Sequence, residues 1–294
     1  MTTRIEKFGW KGSLEPGIGR VVSAHGDYYH LVCNEAEGEI LARKKKSAFA
    51  RRIGSVRESG GLRRVERAET GDGVLVPITG DFVRFRYNAQ GESMITEVLP
   101  RFSSFERKDP TARRKSQTLA VNFDTLFVMM SLNENFSTAR IERFLDLADD
   151  VGGAEVAVVV TKMDLREDGD GAFLDALEES VAGRARILCI SSLTGEGMDD
   201  VSEYMKPGRT VAFIGSSGVG KSTLLNALAG EEWMATQEIQ EWSGKGRHTT
   251  TSRELVMLPC GAMVVDTPGF REIGSVGEEE AVLAKGESTH RYRV

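Results

Sequence analysis

No apolar run in this chain approaches the ~20 residues that a membrane-spanning helix requires, and the N-terminal MTTRIEKFGWKG has no apolar core of the signal-peptide kind. Both absences lead to the expectation of a cytoplasmic protein. Cysteine is scarce as well. Cys33, Cys189 and Cys260 are odd in number and far apart, which excludes a disulfide framework and a metal-ligand set. Cys189 lies in the apolar run 186–190 and is expected to be a buried small hydrophobe. Three of the four histidines, His25, His30 and His290, fall in no recognisable pattern and read as surface or structural residues. Overall positive charge is also lacking: a net charge of −6 argues against a wholesale nucleic-acid coat.

What is present is ordinary in bulk and uneven in layout. The 294 residues, 40% hydrophobic and 28% charged, suffice for two domains with separate cores. Residues 1–120 carry 22 Lys+Arg against 15 Asp+Glu, whereas the remainder carries 16 against 29. A polyanionic partner would therefore meet the N-terminal part.

Up to about residue 102 the pattern is β-rich. The runs 19–24 and 28–33 flank His25-Gly26-Asp27, a hairpin turn with Gly or Asp at the positive-φ position. Runs 38–44, 80–87 and 94–99 give three more strands, with a turn at 88–91. Five short strands fit a small closed barrel, most commonly an OB-fold, although periodicity alone leaves an SH3-like barrel open. The polar, arginine-rich segment 51–72 reads as an exposed excursion. Four basic clusters lie in this part or its exit linker: Arg43-Lys44-Lys45-Lys46, Arg51-Arg52, Arg63-Arg64 and Arg113-Arg114-Lys115. Each alone is a solvated charged face; together, on an oligonucleotide-binding type of barrel, they favour RNA contact. Tyr28, Tyr29 and Phe82 are candidates for stacking bases or for the barrel core.

From about 103 the texture becomes alternating α/β. Apolar strands are expected at 125–132, 156–160, 186–190, 211–214 and 263–265. Ser137 can cap a helix carrying Ile141, Phe144, Leu145 and Ala148 at helical spacing, and further helices are expected at 170–182, 198–205 and 222–229. Near-continuous Val/Ile/Leu strands alternating with helices indicate a parallel sheet covered on both faces.

The sharpest motif is Gly215-Ser216-Ser217-Gly218-Val219-Gly220-Lys221-Ser222, a full GxxxxGK[ST] followed by Thr223 in a helix-forming run. It has the required strand before it and helix after it. Glycines at 215, 218 and 220 let backbone N–H groups turn inward around a polyphosphate. Lys221 adds a cation between the β- and γ-phosphates, and Ser222 offers a hydroxyl to Mg²⁺. The helix that follows points its positive end at the same charge. The base is chosen elsewhere. Asp164, in Thr161-Lys162-Met163-Asp164, can accept both N1–H and the 2-amino group of guanine; adenine would leave that carboxylate unpaired, a loss on the order of a few kcal/mol. Ser191-Ser192-Leu193 can supply an N–H to guanine O6. Asp266, in Asp266-Thr267-Pro268-Gly269, can hold Mg²⁺ through water, and the Gly269 N–H can reach the γ-phosphate. The polar GKGRHTTT run at 244–251 suits a mobile loop whose Thr250 completes the Mg²⁺ shell.

The order of these motifs is unusual. Small GTPases ordinarily run phosphate loop, switch threonine, DxxG, base motif and serine loop; here the base motif and serine loop come first. All five are present, so the site is that of a circularly permuted GTPase. An α/β P-loop GTPase domain of this kind behind a small all-β barrel resembles the small-ribosomal-subunit-dependent GTPase A family (RsgA, also called YjeQ). The shared stretches are GRVVSAHGDYY, Asn122-Phe123-Asp124-Thr125 leading into FVMMSLN, TKMD, SSLTGEG, GSSGVGKSTLLNAL, GRHTTT and DTPGFRE, within about residues 17–273. The resemblance implies an OB-fold, slow GTP hydrolysis stimulated by the small (30S) ribosomal subunit, rRNA contact and a role in late subunit maturation. Phe270 stands where Ras-like enzymes carry a water-orienting glutamine, so another group must position the water; the resemblance points to His248. With Thr250 and Lys221, His248 makes up the expected catalytic set. Family members usually continue into a helical zinc-binding domain, but residues 271–294 hold no cysteine and only His290, hence no zinc ligand set. The expected division is an OB-fold at 1–102, the permuted GTPase domain at 103–274 and a short tail at 275–294, in a monomer that does not meet a membrane. The competing expectations are a GTP-binding, RNA-binding module with little turnover, and a permuted GTPase serving another RNA.

Overall fold

The computed structural model describes residues 2–45, 76–107, 117–132, 136–166, 171–216, 218–230 and 254–266. Ser217, His248, Thr250, Gly269, Phe270, the clusters at 51–52, 63–64 and 113–115, the excursion 51–72 and the tail lie outside the described residues.

A short helix, α1 (Arg4–Lys7), leads into strand β1 (Ile18–His25), followed by β2 (Tyr28–Cys33), β3 (Ile40–Lys44), β4 (Phe82–Arg86) and β5 (Ser93–Val98). The β1–β2 hairpin turns at Gly26, with φ of 62°, as a tight two-residue turn between His25 and Tyr28 demands. Strand β2 pairs with β3, β3 runs parallel to β5, β5 pairs with β4, and β4 returns to β1. That closure, 1-2-3-5-4-1, is the OB-fold. It decides between the two barrels that periodicity left open, because the parallel β3–β5 contact is a long-range property. Val21, Tyr29, Leu31, Ala42, Val83, Phe85 and Ile95 fill the barrel. Ile5 and Trp10 close one end against Ile18, Phe82 and Leu99. Tyr29 and Phe82 are therefore core residues, whereas Tyr28 is exposed under the Arg43 guanidinium, 4.2 Å from its ring centre.

Two short strands missed by the sequence reading, β6 (Ser104–Arg107) and β7 (Gln117–Val121), form a separate antiparallel pair. Their Phe105 and Leu119 belong to the core of the α/β part. There follow β8 (Thr125–Ser131), α2 (Thr138–Ala148), β9 (Glu155–Thr161), α3 (Gly171–Val181), β10 (Arg186–Cys189), α4 (Met198–Ser202), β11 (Thr210–Gly215) and α5 (Lys221–Ala229). Strands β12 (Glu254–Met257) and β13 (Met263–Asp266) complete the described part. Ser137 caps α2 as expected, its hydroxyl accepting from the Arg140 N–H. Helix α4 ends earlier than expected; Tyr204 and Met205 stay buried in the turn after it.

Strands β10, β9, β8, β11 and β13 lie side by side and parallel. One face packs on Ile141, Phe144 and Leu145 of α2 and Leu177 of α3; the other packs on Val201 of α4 and Leu224 and Leu225 of α5. All of β8 is buried, which explains its uninterrupted apolar run. Cys189 is only half-buried, a correction to the expectation of a buried hydrophobe: it sits at the end of β10, which among the described strands has a neighbour on one side only.

Strand β12 was also missed. It runs antiparallel to β13 and pairs on its other side with β1 at Ser23 and Glu254, so that among the described residues barrel and α/β part form one continuous sheet of 11 strands. No helix among the described residues is long and apolar enough to cross a membrane.

Candidate nucleotide site

The sequence motifs converge on one edge. In a parallel sheet the loops after the strands share the carboxyl end, where open α/β folds bind ligands. Thr161 ends β9, Cys189 ends β10, Gly215 ends β11 and Asp266 ends β13. Motifs scattered over 161–266 in sequence thus meet around β11.

The phosphate loop leaves β11 pressed against its neighbour. A side chain at Gly215 would put its β-carbon 2.7 Å from the Met129 carbonyl of β8. Gly218 and Gly220 have φ of 75° and 95°, in the left-handed region that favours glycine. Space around the absent Gly218 side chain is open, whereas Val219 is buried among Phe127, Met129 and Phe213 and pins the loop. Val219 can therefore offer a ligand only its backbone. Gly220 caps α5, and the Leu224 N–H donates to its carbonyl at 2.9 Å, so Lys221, Ser222 and Thr223 form the first turn of that helix. Lys221 and Ser222 are half-buried, Ser216 likewise, and Thr223 is exposed. This glycine cradle with a helix N-terminus behind it fits a polyphosphate.

The base-selecting loop is tied to the phosphate loop directly. The buried Thr161 hydroxyl donates to the Val219 carbonyl at 2.6 Å. Lys162 adopts φ 63° and ψ 38°, a left-handed conformation that a non-glycine residue holds only where its surroundings enforce it. The Met163 N–H, donating to the Ile190 carbonyl at 3.1 Å, and the Met163 side chain, buried in the core, supply that enforcement. Met163 thus anchors the loop from below instead of facing a ligand. Asp164 follows, exposed, in a single 3₁₀ turn.

Ser191 holds Asp164 in place. Its hydroxyl donates to Asp164 Oδ1 at 2.6 Å while accepting from the Leu193 and Thr194 N–H groups at 3.3 and 3.2 Å. Ser191 is entirely buried, Ser192 is half-buried and Leu193 is 80% exposed. The carboxylate is aimed by one oxygen, leaving the other without a hydrogen bond to any described residue. Neither the Thr161–Val219 tie nor the Ser191–Asp164 bond was read from the sequence. The first joins residues in different motifs, and no local pattern signals it; the second could have been suspected from two strand-end loops on neighbouring strands.

Of the residues expected to hold Mg²⁺, Ser222 lies on the first turn of α5, and the backbone of Asp266 ends β13 beside Glu254 of β12. Among the described residues no group of three His, Cys, Asp or Glu side chains is placed to hold a metal ion.

Fold and site together define a circularly permuted P-loop GTPase carrying an N-terminal OB-fold. The RsgA GTPase family model matches residues 98–276. The small ribosomal subunit biogenesis GTPase RsgA of Leptospira interrogans is 37% identical over 284 residues, spanning 93% of this chain and 72% of that protein. A second relative of that name, from Lactiplantibacillus plantarum, is 36% identical, spanning 93% of this chain and 73% of its own length. The crystal structure of YjeQ from Thermotoga maritima superposes with a TM-score of 0.59 at 27% identity, covering 87% of this chain and 76% of that one. YloQ, described as a circularly permuted GTPase, shares the fold at a TM-score of 0.53 and 20% identity. The chain belongs to the RsgA GTPase family. Its chemistry is the binding and hydrolysis of GTP.

Proposed function

We propose that this chain works on the small ribosomal subunit, binding its rRNA and hydrolysing GTP to GDP late in subunit maturation, slowly by itself and faster on the subunit. One observation carries the GTP-dependent part: the Thr161 and Ser191 hydroxyls lock the base-selecting loop to the phosphate loop and aim Asp164. Guanine then meets the Asp164 carboxylate and the Ser191-Ser192 backbone, and the phosphates meet the N–H groups of 215–220 and Lys221. Mg²⁺ would be held by Ser222, Asp266 and Thr250, and when bound it neutralises charge on the phosphates. His248 positions the attacking water in place of the glutamine that Phe270 replaces, and Gly269 meets the γ-phosphate.

The ribosomal partner is supported by the names of the relatives and by the outer face of the barrel. Tyr28, Arg43, Met94 and Arg86 are register neighbours across β2, β3, β5 and β4, and all four are exposed. Such a row offers stacking surface and phosphate-binding cations side by side. Arg43 also pairs with Glu92 at 2.8 Å and Lys44 with Asp27 at 3.4 Å, contacts that RNA phosphates would have to displace. We assign residues 1–102 to rRNA contact and 103–274 to GTP turnover, in a cytoplasmic monomer. The test is GTP hydrolysis and co-sedimentation with separated subunits. Stimulation by small subunits is expected; tight GTP binding with flat turnover, or preference for large subunits, would overturn the proposal.

A further inference from the structure

Strand β1 of the barrel touches the α/β part through Arg20, Val22 and Ser23, against β11, β12 and β13 on the nucleotide side of the sheet. At one end, Arg20 is buried at 1% exposure and reaches out of the barrel. Its guanidinium donates to Thr210 Oγ1 at 2.9 Å, to the Asn122 carbonyl at 2.8 Å and to the Phe8 carbonyl at 2.6 Å. It also lies 3.5 Å from Met263 Sδ. Thr210 and Met263 are register partners at the starts of β11 and β13, the strands that end in the phosphate loop and at Asp266. Burial pushes the Arg20 pKa down to about 10, against the pull of the Asp124 and Asp81 carboxylates, so the group is a buried cation at neutral pH.

At the other end, Ser23 pairs with Glu254 of β12, and Glu254 pairs with Asp266 of β13. A single lateral row therefore runs from the barrel to the aspartate that opens DTPG, two strand spacings or about 10 Å away. Between these ends β1 bulges. Val21 opposes Leu31 and Ser23 opposes His30, which leaves Val22 as the extra residue. Val21 points into the barrel, while Val22 packs with Val32, Leu255, Met263 and Val265. In sequence, the β12–β13 hairpin separates GKGRHTTT from DTPG, the two segments expected to sense the γ-phosphate.

We propose that β1 couples the barrel to the γ-phosphate side of the GTPase site, with Arg20 as its fixed end and the Ser23–Glu254–Asp266 row as its moving end. A shift of β13 on loss of the γ-phosphate displaces β12 and, through the close-packed Val22 cluster, the barrel wall. By linkage, a partner that holds the barrel biases the nucleotide state equally. Arg20 and Val22 are positioning residues that touch no nucleotide. The inference rests on the proposed function only in naming small-subunit rRNA as the ligand of the barrel.

The test uses the full chain and two variants, Arg20→Met and Val22→Ala, with Arg20→Lys as the conservative rescue. Hydrogen exchange is followed at Ile18–Cys33 with GDP and with a non-hydrolysable GTP analogue. The wild type is expected to show nucleotide-dependent protection there; identical exchange in both nucleotides overturns the coupling, whatever the ribosome does. On small subunits, both variants are expected to keep the intrinsic kcat and KM for GTP but lose stimulation by about tenfold, within the range of known coupling energies. Arg20→Lys should recover part of it. Unchanged stimulation in a folded Val22→Ala protein overturns the proposal even if Arg20→Met fails to fold. Absence of stimulation in the wild type sinks the ribosomal reading instead, and the exchange experiment still decides the coupling.

Discussion

At the residue scale the site depends on two hydroxyls whose hydrogen bonds no motif discloses. Asp164 was legible because a carboxylate after TKM is the chemical requirement for guanine. Thr161 and Ser191 were legible as motif members but not in their roles; the Thr161–Val219 bond joins residues 58 apart and leaves no local trace, whereas the Ser191–Asp164 bond is implied only once β9 and β10 are known to be neighbours. Thr161→Val keeps the shape and removes the donor to the Val219 carbonyl. It is expected to weaken GDP binding by about tenfold, the loss of about 1–2 kcal/mol that an orphaned buried acceptor brings. A fluorescent-GDP titration with unchanged affinity would remove Thr161 from the site. Asp164→Asn makes a different kind of change. Its amide oxygen can still accept from N1–H, but its NH2 donates to the C2 carbonyl of xanthine and meets only another donor in the guanine amino group. GTP affinity should fall by about a hundredfold or more while xanthosine triphosphate gains, because mismatched buried polar groups discriminate strongly. Equal loss of both nucleotides would mean that the carboxylate only holds the loop.

At the element scale, what the sequence disclosed depended on whether an element declares itself by its own pattern. β8, β9 and β11 each carry an uninterrupted central apolar run and were read within a residue or two. β12 is four residues long, exists only through its partners on either side, and was missed. β6 and β7 were missed because of their mixed polarity; among the described strands they pair only with each other. Arg20 sits in the middle of a strand, where an arginine is usually exposed; only the neighbouring domain explains its burial. The phosphate loop, by contrast, could be read glycine by glycine, and its glycines differ in what they protect. Gly215→Ala would force a β-carbon to 2.7 Å from the Met129 carbonyl, so β11 must part from β8. A stability loss of about 1–3 kcal/mol with collapse of nucleotide binding is expected. Gly218→Ala meets no atom of the described residues within 4 Å and carries backbone strain of about 1–2 kcal/mol. Chemical denaturation that ranks Gly218→Ala as the worse of the two would show the close approach to β8 to be unimportant.

At the scale of the whole molecule, barrel and GTPase fold are joined too closely to be independent modules. The sheet is continuous, and a buried polar joint lies under it. Asn122, left-handed at φ 52°, donates to the Gly80 carbonyl and accepts from the Phe102 N–H. Asp81 grips Arg101 with both oxygens at 2.7 Å, with side chains 0% and 5% exposed. Asp124 accepts from the Thr210 N–H and from Lys11. The NFDT motif that pointed to the family is thus the hinge pin of this joint and lies outside the nucleotide site. Asp81→Ala would leave the Arg101 charge buried without its partner, a destabilisation of about 3–5 kcal/mol. Because the joint is shared, that loss should appear in one cooperative transition, followed equally by amide exchange in the barrel and by nucleotide release from the GTPase site. Saturating GDP, which binds only the folded α/β part, should then raise the unfolding free energy read in the barrel as well, by about 2.7 kcal/mol at a hundredfold excess over Kd. A barrel that melts first, with nucleotide affinity intact, would show that the continuous sheet does not transmit stability. The coupling through β1 would then lack the mechanical continuity it requires.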